Sequence, residues 1–397
     1  MGTMAITGGH VVPVQGKPFD GAVLVTDGVI TALGPDLQAP AGAEIIDATG
    51  HWVLPGFIDA HTHLGVHEEA EGWAGQDTNE MTDPVTANVR ALDAINPYEM
   101  GFDDALAGGV TAVNVNPGSG NPIGGLTVAI RTHGRTVDEM VLRSPSGLKS
   151  ALGENPKRVY GEAHKMPSTR LGTAAVIRGA FVDAQNYADA QAHAEPGKAS
   201  PPRDLKLEAL GMVLRREIPW RQHSHRADDI ATAVRIAEEF GYRLVIDHGT
   251  EAFLLADLLA AKNIPVLIGP LFTSRSKVEL RNRSLASPGK LAAAGVEISI
   301  ITDHPVVPVH FLVHQASLSV KEGLEPTTAL RAITINPARA MGVDDRVGSL
   351  EVGKDADIVL WSGDPLDVMQ RALTVFLQGR EVYRYDEQAK AGVVAPR

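Results

Sequence analysis

The stretch that organises this chain is Val53-Leu-Pro-Gly-Phe-Ile-Asp-Ala-His-Thr-His-Leu-Gly-Val66. Its apolar pair Phe57 and Ile58 predicts a short buried strand. Side chains of a strand alternate between its faces, so His61 and His63 are expected on the same face at the strand's end. Two neighbouring imidazoles suit one metal ion. Two polar residues at a strand end are the simpler interpretation, and the rest of the chain decides between the two.

The composition is that of an ordinary globular protein. The chain has 397 residues, of which 44% are hydrophobic and 21% charged, and its formal net charge is −12. It lacks long runs of Lys or Arg, so neither nucleic acid nor an anionic membrane is expected as a partner. The expected partner is a small-molecule substrate. Cysteine is absent, so a metal ligand must be His, Asp, Glu or a modified Lys. With no signal-peptide pattern and no apolar run of ~18 residues, the cytoplasm is the expected location, and a homo-oligomer is expected from base rates.

The two ends of the chain resemble each other and differ from the middle. Residues 1–55 and 345–397 both predict short strands and turns, and together they are expected to form one small β-sandwich domain. Residues 56–344 alternate between strand and helix about every 20–30 residues, about eight times, which favours a regular or distorted (β/α)8 TIM barrel. A Pro- and Ser-rich linker is predicted at 195–202, between two helices.

In such a barrel the functional groups lie at the carboxyl ends of the strands. Neutral imidazoles and carboxylates are good ligands for zinc, and a bound metal lowers the pKa of its water toward neutrality. An Asp beside the ion can take the water's proton and pass it to a leaving amine; Asp303 is predicted for this role, with a helix N-cap as the alternative. The polar residues that end the predicted strands are His61, His63, His223, His225, His248 and Asp303.

The sequence Pro55-Gly-Phe-Ile-Asp-Ala-His-Thr-His63 resembles the first-strand signature of the amidohydrolase superfamily. The likeness covers nearly the whole chain. Ile6–Val14 with Val25-Thr-Asp-Gly-Val-Ile30 resembles that superfamily's N-terminal β segment. Asn336-Pro-Ala-Arg339 with Gly348-Ser-Leu-Glu-Val-Gly-Lys-Asp-Ala-Asp-Ile-Val359 resembles its C-terminal return. Within the superfamily the chain is similar to the imidazolonepropionase-like and prolidase-like members.

The resemblance implies a divalent metal cofactor and its ligands. Zinc is the first choice, as one ion or two, with manganese and iron as alternatives. His61 and His63 would bind from the first strand, and Asp303 would be the eighth-strand ligand. His223 would be the fifth-strand ligand, since its His-Ser resembles the family's His-Ala; His225, two residues on, is the rival and is otherwise expected at the substrate. His248 would be the sixth-strand ligand.

The fourth strand departs from the family pattern. Many two-metal members carry a carboxylated Lys there, and the clearest match is Lys149 in Gly147-Leu-Lys-Ser-Ala-Leu152. Burial and a nearby metal would lower its pKa, and the neutral amine could then take up CO₂. A surface Lys is the alternative, Glu154 is a second candidate bridge, and with neither the site would hold one metal. Arg170 and Tyr160 are candidates for binding the substrate.

The leading hypothesis is a metal-dependent amidohydrolase that cleaves a C–N bond in an amide, cyclic amide or dipeptide-like substrate. A deaminase is disfavoured, because such relatives place a Glu shortly after the fifth-strand His, and here Ser-His-Arg follows His223. A lactonase stays an alternative, because the carbonyl group of a lactone needs the same electrophilic activation as that of an amide. A non-catalytic scaffold relative would have lost metal ligands. This chain keeps all five candidate ligands, which are His61, His63, His223, His248 and Asp303.

Overall fold

The structure, a computed structural model, describes residues 2–193 and 202–397. The predicted linker at 195–202 therefore lies outside the described residues except for residue 202. The strands are β1 (Thr3–Val11), β2 (Phe19–Thr26), β3 (Val29–Gly34), β4 (Glu44–Asp47), β5 (Trp52–Pro55), β6 (Phe57–Thr62), β7 (Val110–Val115), β8 (Ile123–Arg131), β9 (Val141–Ala151), β10 (Trp220–Ser224), β11 (Leu244–His248), β12 (Val266–Ile268), β13 (Ile298–Ile300), β14 (Ile358–Trp361), β15 (Ala372–Leu377), β16 (Arg380–Asp386) and β17 (Ala391–Val394).

The helices lie mainly between the strands of the middle region. They are α1 (Gly101–Ala107), α2 (Val137–Met140), α3 (Glu154–Glu162), α4 (Arg170–Ala192), α5 (Leu205–Leu214), α6 (Ala227–Phe240), α7 (Ala256–Ala261), α8 (Ser287–Ala293), α9 (Leu312–Lys321), α10 (Pro326–Arg331) and α11 (Ile335–Met341).

Strands from both ends of the chain share one sheet. Its order is β17-β16-β15-β14-β5-β1-β2-β3, and β4 pairs with β1. The two ends pair within this sheet through β5 and β14, which are antiparallel and in which Pro55 faces Ile358. Buried apolar residues from both ends, such as Ile6 and Leu350, pack in one cluster. The sandwich form and the domain boundaries at 55/56 and 344/345 stay predictions.

The second sheet contains β6 to β13 in sequential order and is barrel-like. Most neighbours are parallel, but β8 runs antiparallel to both β7 and β9. Only the short α2 lies in this part of the chain, because hairpin connections need no crossover helix. The expected regular alternation of strand and helix is therefore wrong between residues 110 and 151, and the barrel is of the distorted kind.

The barrel closes through a segment outside its strands. The N–H of Ile300 in β13 donates to the carbonyl of Ala332 (2.9 Å), and the N–H of Ile58 in β6 donates to the carbonyl of Ile333 (2.8 Å). Residues 332–333 thus bridge the first and last strands, and α11, which follows, packs against β6. The closure brings the carboxyl ends of β6 and β13 together.

The passage from the first sheet to the barrel occurs at Gly56. A Cβ atom there would lie 1.9 Å from Oγ1 of Thr111, so only glycine fits between β5 and β6. This glycine sets the start of β6 and hence the depth at which His61 and His63 emerge.

In the described part of the chain, no helix is long and apolar enough to cross a membrane. The homo-oligomer stays a prediction.

Candidate metal centre

Three of the predicted ligands converge at the carboxyl ends of β6 and β13. The Nε2 atoms of His61 and His63 lie 3.2 and 3.4 Å from Oδ1 of Asp303. The backbone of Asp303 is left-handed, with φ of 55°, and its N–H donates to the carbonyl of His61 at 3.2 Å. Such a conformation costs a non-glycine residue about 1–3 kcal/mol and is concentrated at functional sites. The donor atoms of this group are close enough to share one ion.

The second nitrogen of each ring fixes its orientation. Nδ1 of His61 lies 2.9 Å from Oδ2 of Asp247, and Nδ1 of His63 donates to the carbonyl of Asn116 at 2.8 Å. A proton on Nδ1 leaves the lone pair of Nε2 free, and Nε2 is the nitrogen that faces Asp303. The imidazoles are thus held in the form and direction of metal ligands.

A second group consists of His223, His225 and His248, at the ends of β10 and β11. Their ring centroids lie 4.4 Å apart for His223 and His248, 4.7 Å for His223 and His225, and 4.9 Å for His225 and His248. Nδ1 of His248 donates to the carbonyl of Gly269 at 2.9 Å, and Nδ1 of His225 lies 2.8 Å from Oγ1 of Thr250. The sequence offered His223 and His225 as alternatives, and the structure places both in this group.

The histidines of the second group are neutral. Burial, together with the neighbouring His248 and His225, lowers the pKa of His223 well below its usual value. Burial likewise lowers the pKa of His248 well below its usual value and that of His225 to about 3. Among the described residues, neither ring nitrogen of the buried His223 has a hydrogen-bond partner. A buried polar atom without a partner is costly, and a metal ion would satisfy it.

The two groups adjoin each other, and Lys149 lies beside them. The ring centroids of His61 and His248 are 4.7 Å apart. Nζ of the fully buried Lys149 lies 3.0 Å from Oδ2 of Asp247 and 3.4 Å from Nε2 of His61. Burial lowers the pKa of Lys149, although Asp247 opposes the shift. The alternative of a surface lysine is therefore wrong.

Glu154 belongs to neither ligand group. It is the first residue of α3, and its N–H donates to Oε1 of Glu279 at 2.7 Å. Glu154 lies three residues after the end of β9. At that point the chain has already entered α3, so Glu154 belongs to the helix and not to the strand end. Of the two residues considered for the fourth strand, the structure brings Lys149 to the histidines.

The carboxyl group of Asp303 is ionised. Burial is the largest single influence and opposes ionisation, but His248, His61 and His63 together hold the pKa of Asp303 well below its usual range. Its side chain is 17% exposed, toward the cavity described below. An ionised carboxylate that still reaches the cavity can bind a cation and can exchange a proton with a ligand.

Asp247, for which the sequence predicted no role, lies at the centre of a buried network of charged residues. Oδ2 of Asp247 contacts His61 and Lys149, and Oδ1 accepts from Nε of Arg221 at 3.1 Å. Arg221 also donates to the carbonyl of Ala60 at 2.7 Å. The available signal was a charged residue inside each of two predicted barrel strands, β10 and β11, since a charge is buried in a strand only when it is paired.

A cavity of about 430 Å³ opens onto the ligands. His63, His223, His225 and Asp303 form its floor, while a larger cavity of about 740 Å³ lies at the opposite end of the strands and contains none of them. The other residues that line the floor and rim are His67, Gln76, Thr78, Asn79, Met81, Gly118, Ser119, Asn155, Pro270, Thr273, Ser276, Lys277, Leu280, Pro305 and Val306.

Arg170 and Tyr160, the residues predicted to bind the substrate, do not line this cavity. Arg170 donates to Asp229 at 3.1 Å and to Glu279 at 3.0 Å. Tyr160 is buried, and its hydroxyl donates to Asn121 at 2.7 Å. Both side chains are committed to protein partners, because buried carboxylates and amides need donors. His225 is the one of the three predicted substrate residues that the structure brings to the cavity.

Comparison with known proteins places the chain in a family. Residues 214–385 match the model of the amidohydrolase family. The imidazolonepropionase of Aromatoleum aromaticum is 31% identical over 384 residues, which span 87% of this chain and 86% of that protein. An amidohydrolase structure from Thermotoga maritima is 47% identical, with a TM-score of 0.93 over 96% of this chain and 100% of that one. The chain belongs to the amidohydrolase superfamily.

Further matches show which other members of the superfamily the chain is similar to. The amidohydrolase tasK of Hapsidospora irregularis is 30% identical over 386 residues; these span 90% of this chain but only 39% of that longer protein. Among solved structures, a prolidase matches at 20% identity with a TM-score of 0.63, which is a likeness of fold alone. This amidohydrolase is therefore of the imidazolonepropionase-like kind, and it is a hydrolase that acts on carbon–nitrogen bonds.

Proposed function

We propose that this amidohydrolase cleaves the C–N bond of a small amide, cyclic amide or dipeptide-like substrate in the cavity above the two ligand groups. The proposal rests chiefly on one observation: the carboxylate of Asp303 lies against His61 and His63 and also reaches the cavity. A side chain in that position can serve both as a metal ligand and as the group that moves a proton to and from the substrate.

The residues present fit one or two divalent metal ions. His61, His63 and Asp303 would hold one ion, and His223 and His248 would hold a second or complete the first. Lys149, as a carbamate formed on its Nζ, would join the two groups. Zinc suits a donor set of imidazoles and carboxylates, with manganese and iron as alternatives. When bound, the metal would polarise the substrate carbonyl and activate a water molecule.

The protein's own residues account for the proton path. Water adds to the carbonyl carbon, its proton passes to Oδ of Asp303, and the same proton then goes to the nitrogen as the C–N bond breaks. The low pKa of Asp303 keeps its carboxylate unprotonated before the substrate binds. Asn116 and Asp247 hold His63 and His61 in place, so the floor of the cavity is rigid when the substrate arrives.

The names of the relatives support the substrate class. An imidazolonepropionase is 31% identical over most of the chain, and a solved prolidase with the same fold carries N-methylphosphonate-L-proline. Most of the described residues that line the cavity have polar side chains, which can form hydrogen bonds with a small polar substrate.

The test combines metal analysis with an activity screen. Purified protein loaded with Zn²⁺ or Mn²⁺ is assayed on N-acyl amino acids, dipeptides and cyclic amides. We expect at least one metal equivalent per chain and hydrolysis within this panel. Asp303→Asn should lower kcat by about 100- to 10,000-fold, the usual contribution of a general acid–base group, while metal is still bound. The exposed Asp138→Asn in α2 is the matched control and should retain full activity. Normal activity of Asp303→Asn would refute the mechanism.

A further inference from the structure

In the part of the chain that the structure describes, one cation lines the rim of the cavity that contains the histidines. Among the described lining residues, Lys277 is the one lysine or arginine, and it lies in the loop between β12 and α8. Lys277 lines the same cavity as His223, His225 and Asp303. The cavity thus has Asp303 at the bottom and a positive group at the rim.

Hydrogen bonds to neighbouring segments hold the side chain of Lys277 in place. Nζ of Lys277 donates to Oδ1 of Asn155 at 3.1 Å, and Nδ2 of Asn155 donates to Oγ of Ser119 at 2.8 Å. These contacts join the loops that follow β7 and β12 to the first turn of α3, which follows β9.

The loop that carries Lys277 is also anchored two residues further on. The buried Glu279 accepts from the guanidinium of Arg170 at 3.0 Å and from the N–H of Glu154 at 2.7 Å. Arg170, expected at the substrate, instead fixes the loop that bears the rim cation. Both donors bind Oε1 of Glu279, and among the described ion pairs Glu279 pairs with Arg170 and not with Lys277.

Lys277 has no ion pair with a carboxylate in the part of the chain that the structure describes; its hydrogen bond there is to a neutral amide. A partly buried ammonium group with only a neutral acceptor gains from an anionic ligand, since charge-assisted hydrogen bonds are about twice as strong as neutral ones. We propose that Lys277 binds a carboxylate of the substrate and thereby selects amides that carry a free carboxylate beside the scissile C–N bond. This inference rests on the proposed function.

The test uses pairs of compounds that differ at one group. Each N-acyl amino acid, dipeptide or carboxylated cyclic amide is compared with its primary carboxamide on the metal-loaded protein. KM and kcat are measured for compounds that are hydrolysed, and Kd by calorimetry for those that are not. Wild type should prefer the carboxylates. Lys277→Met should raise KM or Kd for them about 10- to 100-fold, with kcat changed less than about threefold, and leave the carboxamides unaffected.

Two variants control for charge and folding. Lys277→Arg keeps the positive charge and should restore most of the preference. Arg275→Met removes a charge from the same loop, but Arg275 is exposed and does not line the cavity, so it should behave as wild type. Melting temperatures of all variants establish that they are folded.

The outcomes separate this inference from the proposed function. If carboxylates bind through Lys277 but no compound is hydrolysed, the proposed function fails and the rim site stands. If wild type binds carboxylates and carboxamides equally, or binds no carboxylate, the rim site is overturned. It is also overturned if Lys277→Met retains the preference for carboxylates, whatever the rate of hydrolysis.

Discussion

Replacement of Asp247 by Asn tests whether the buried ion network supports the metal centre. Asp247 is fully buried and contacts His61, Lys149 and Arg221 at 2.9, 3.0 and 3.1 Å. Asparagine keeps the shape but removes the negative charge, so the buried guanidinium of Arg221 loses its counter-ion and Nζ of Lys149 loses its carboxylate partner. The loss of one partner of a buried ion pair costs about 3–5 kcal/mol.

The expected change in melting temperature follows from the chain length. An unfolding entropy of about 2.1 cal/mol/K per residue amounts to about 0.8 kcal/mol/K for 397 residues. A destabilisation of about 3–5 kcal/mol then lowers Tm by about 4–6 °C. Since Asp247 also orients His61, metal affinity or activity should fall about 10- to 100-fold.

The assay is calorimetric melting of metal-loaded and chelator-treated protein, together with metal titration. Asp228→Asn is the matched control: Asp228 pairs with Arg226 at the surface, where an ion pair contributes about 0–1 kcal/mol, so Tm should move by less than about 2 °C. An Asp247→Asn protein that melts within about 1 °C of wild type and binds metal equally well would refute this account of the network.

Two further predictions concern the frame around the site. Arg131→Met removes the guanidinium, 2.9 Å from Oδ2 of the buried Asp357, that joins β8 to the segment before β14. Burial already raises the pKa of Asp357, and Arg131 opposes the rise, so the pKa is higher still in the variant. A carboxyl group with a raised pKa loses its stabilising effect as pH rises through that pKa. The stability deficit of the variant, measured by urea unfolding, should therefore be larger at neutral than at acidic pH, and a constant deficit would contradict this. Gly153→Ala should destabilise by about 1–3 kcal/mol and raise KM, because Gly153 has φ of 88° and a Cβ would lie 2.6 Å from Oε1 of Glu279; Gly179→Ala, in open space on α4, should be neutral or stabilising, and equal melting shifts would contradict the steric argument.

Much of the fold followed from local patterns. Apolar runs that end in His or Asp marked β6, β10 and β11 and the strand before Asp303, and the resemblance to the amidohydrolase superfamily is confirmed by the comparisons. The antiparallel direction of β8 relative to β7 was decided by the tertiary structure, because a strand's apolar pattern does not encode the direction in which it pairs.

The sequence by itself determined which side chains stand at the strand ends, because alternation along a strand and the repeat of the barrel are properties of neighbouring residues. Only the tertiary structure decided what those side chains contact. His61 and Asp247 are 186 positions apart, and Arg170 and Glu279 are 109. Burial of Lys149, the roles of Asp247 and Arg170, and the place of Lys277 depend on such distant pairs, for which the chain carries no local pattern. The pairing of buried charges is set by packing, and packing exists only once the barrel has closed.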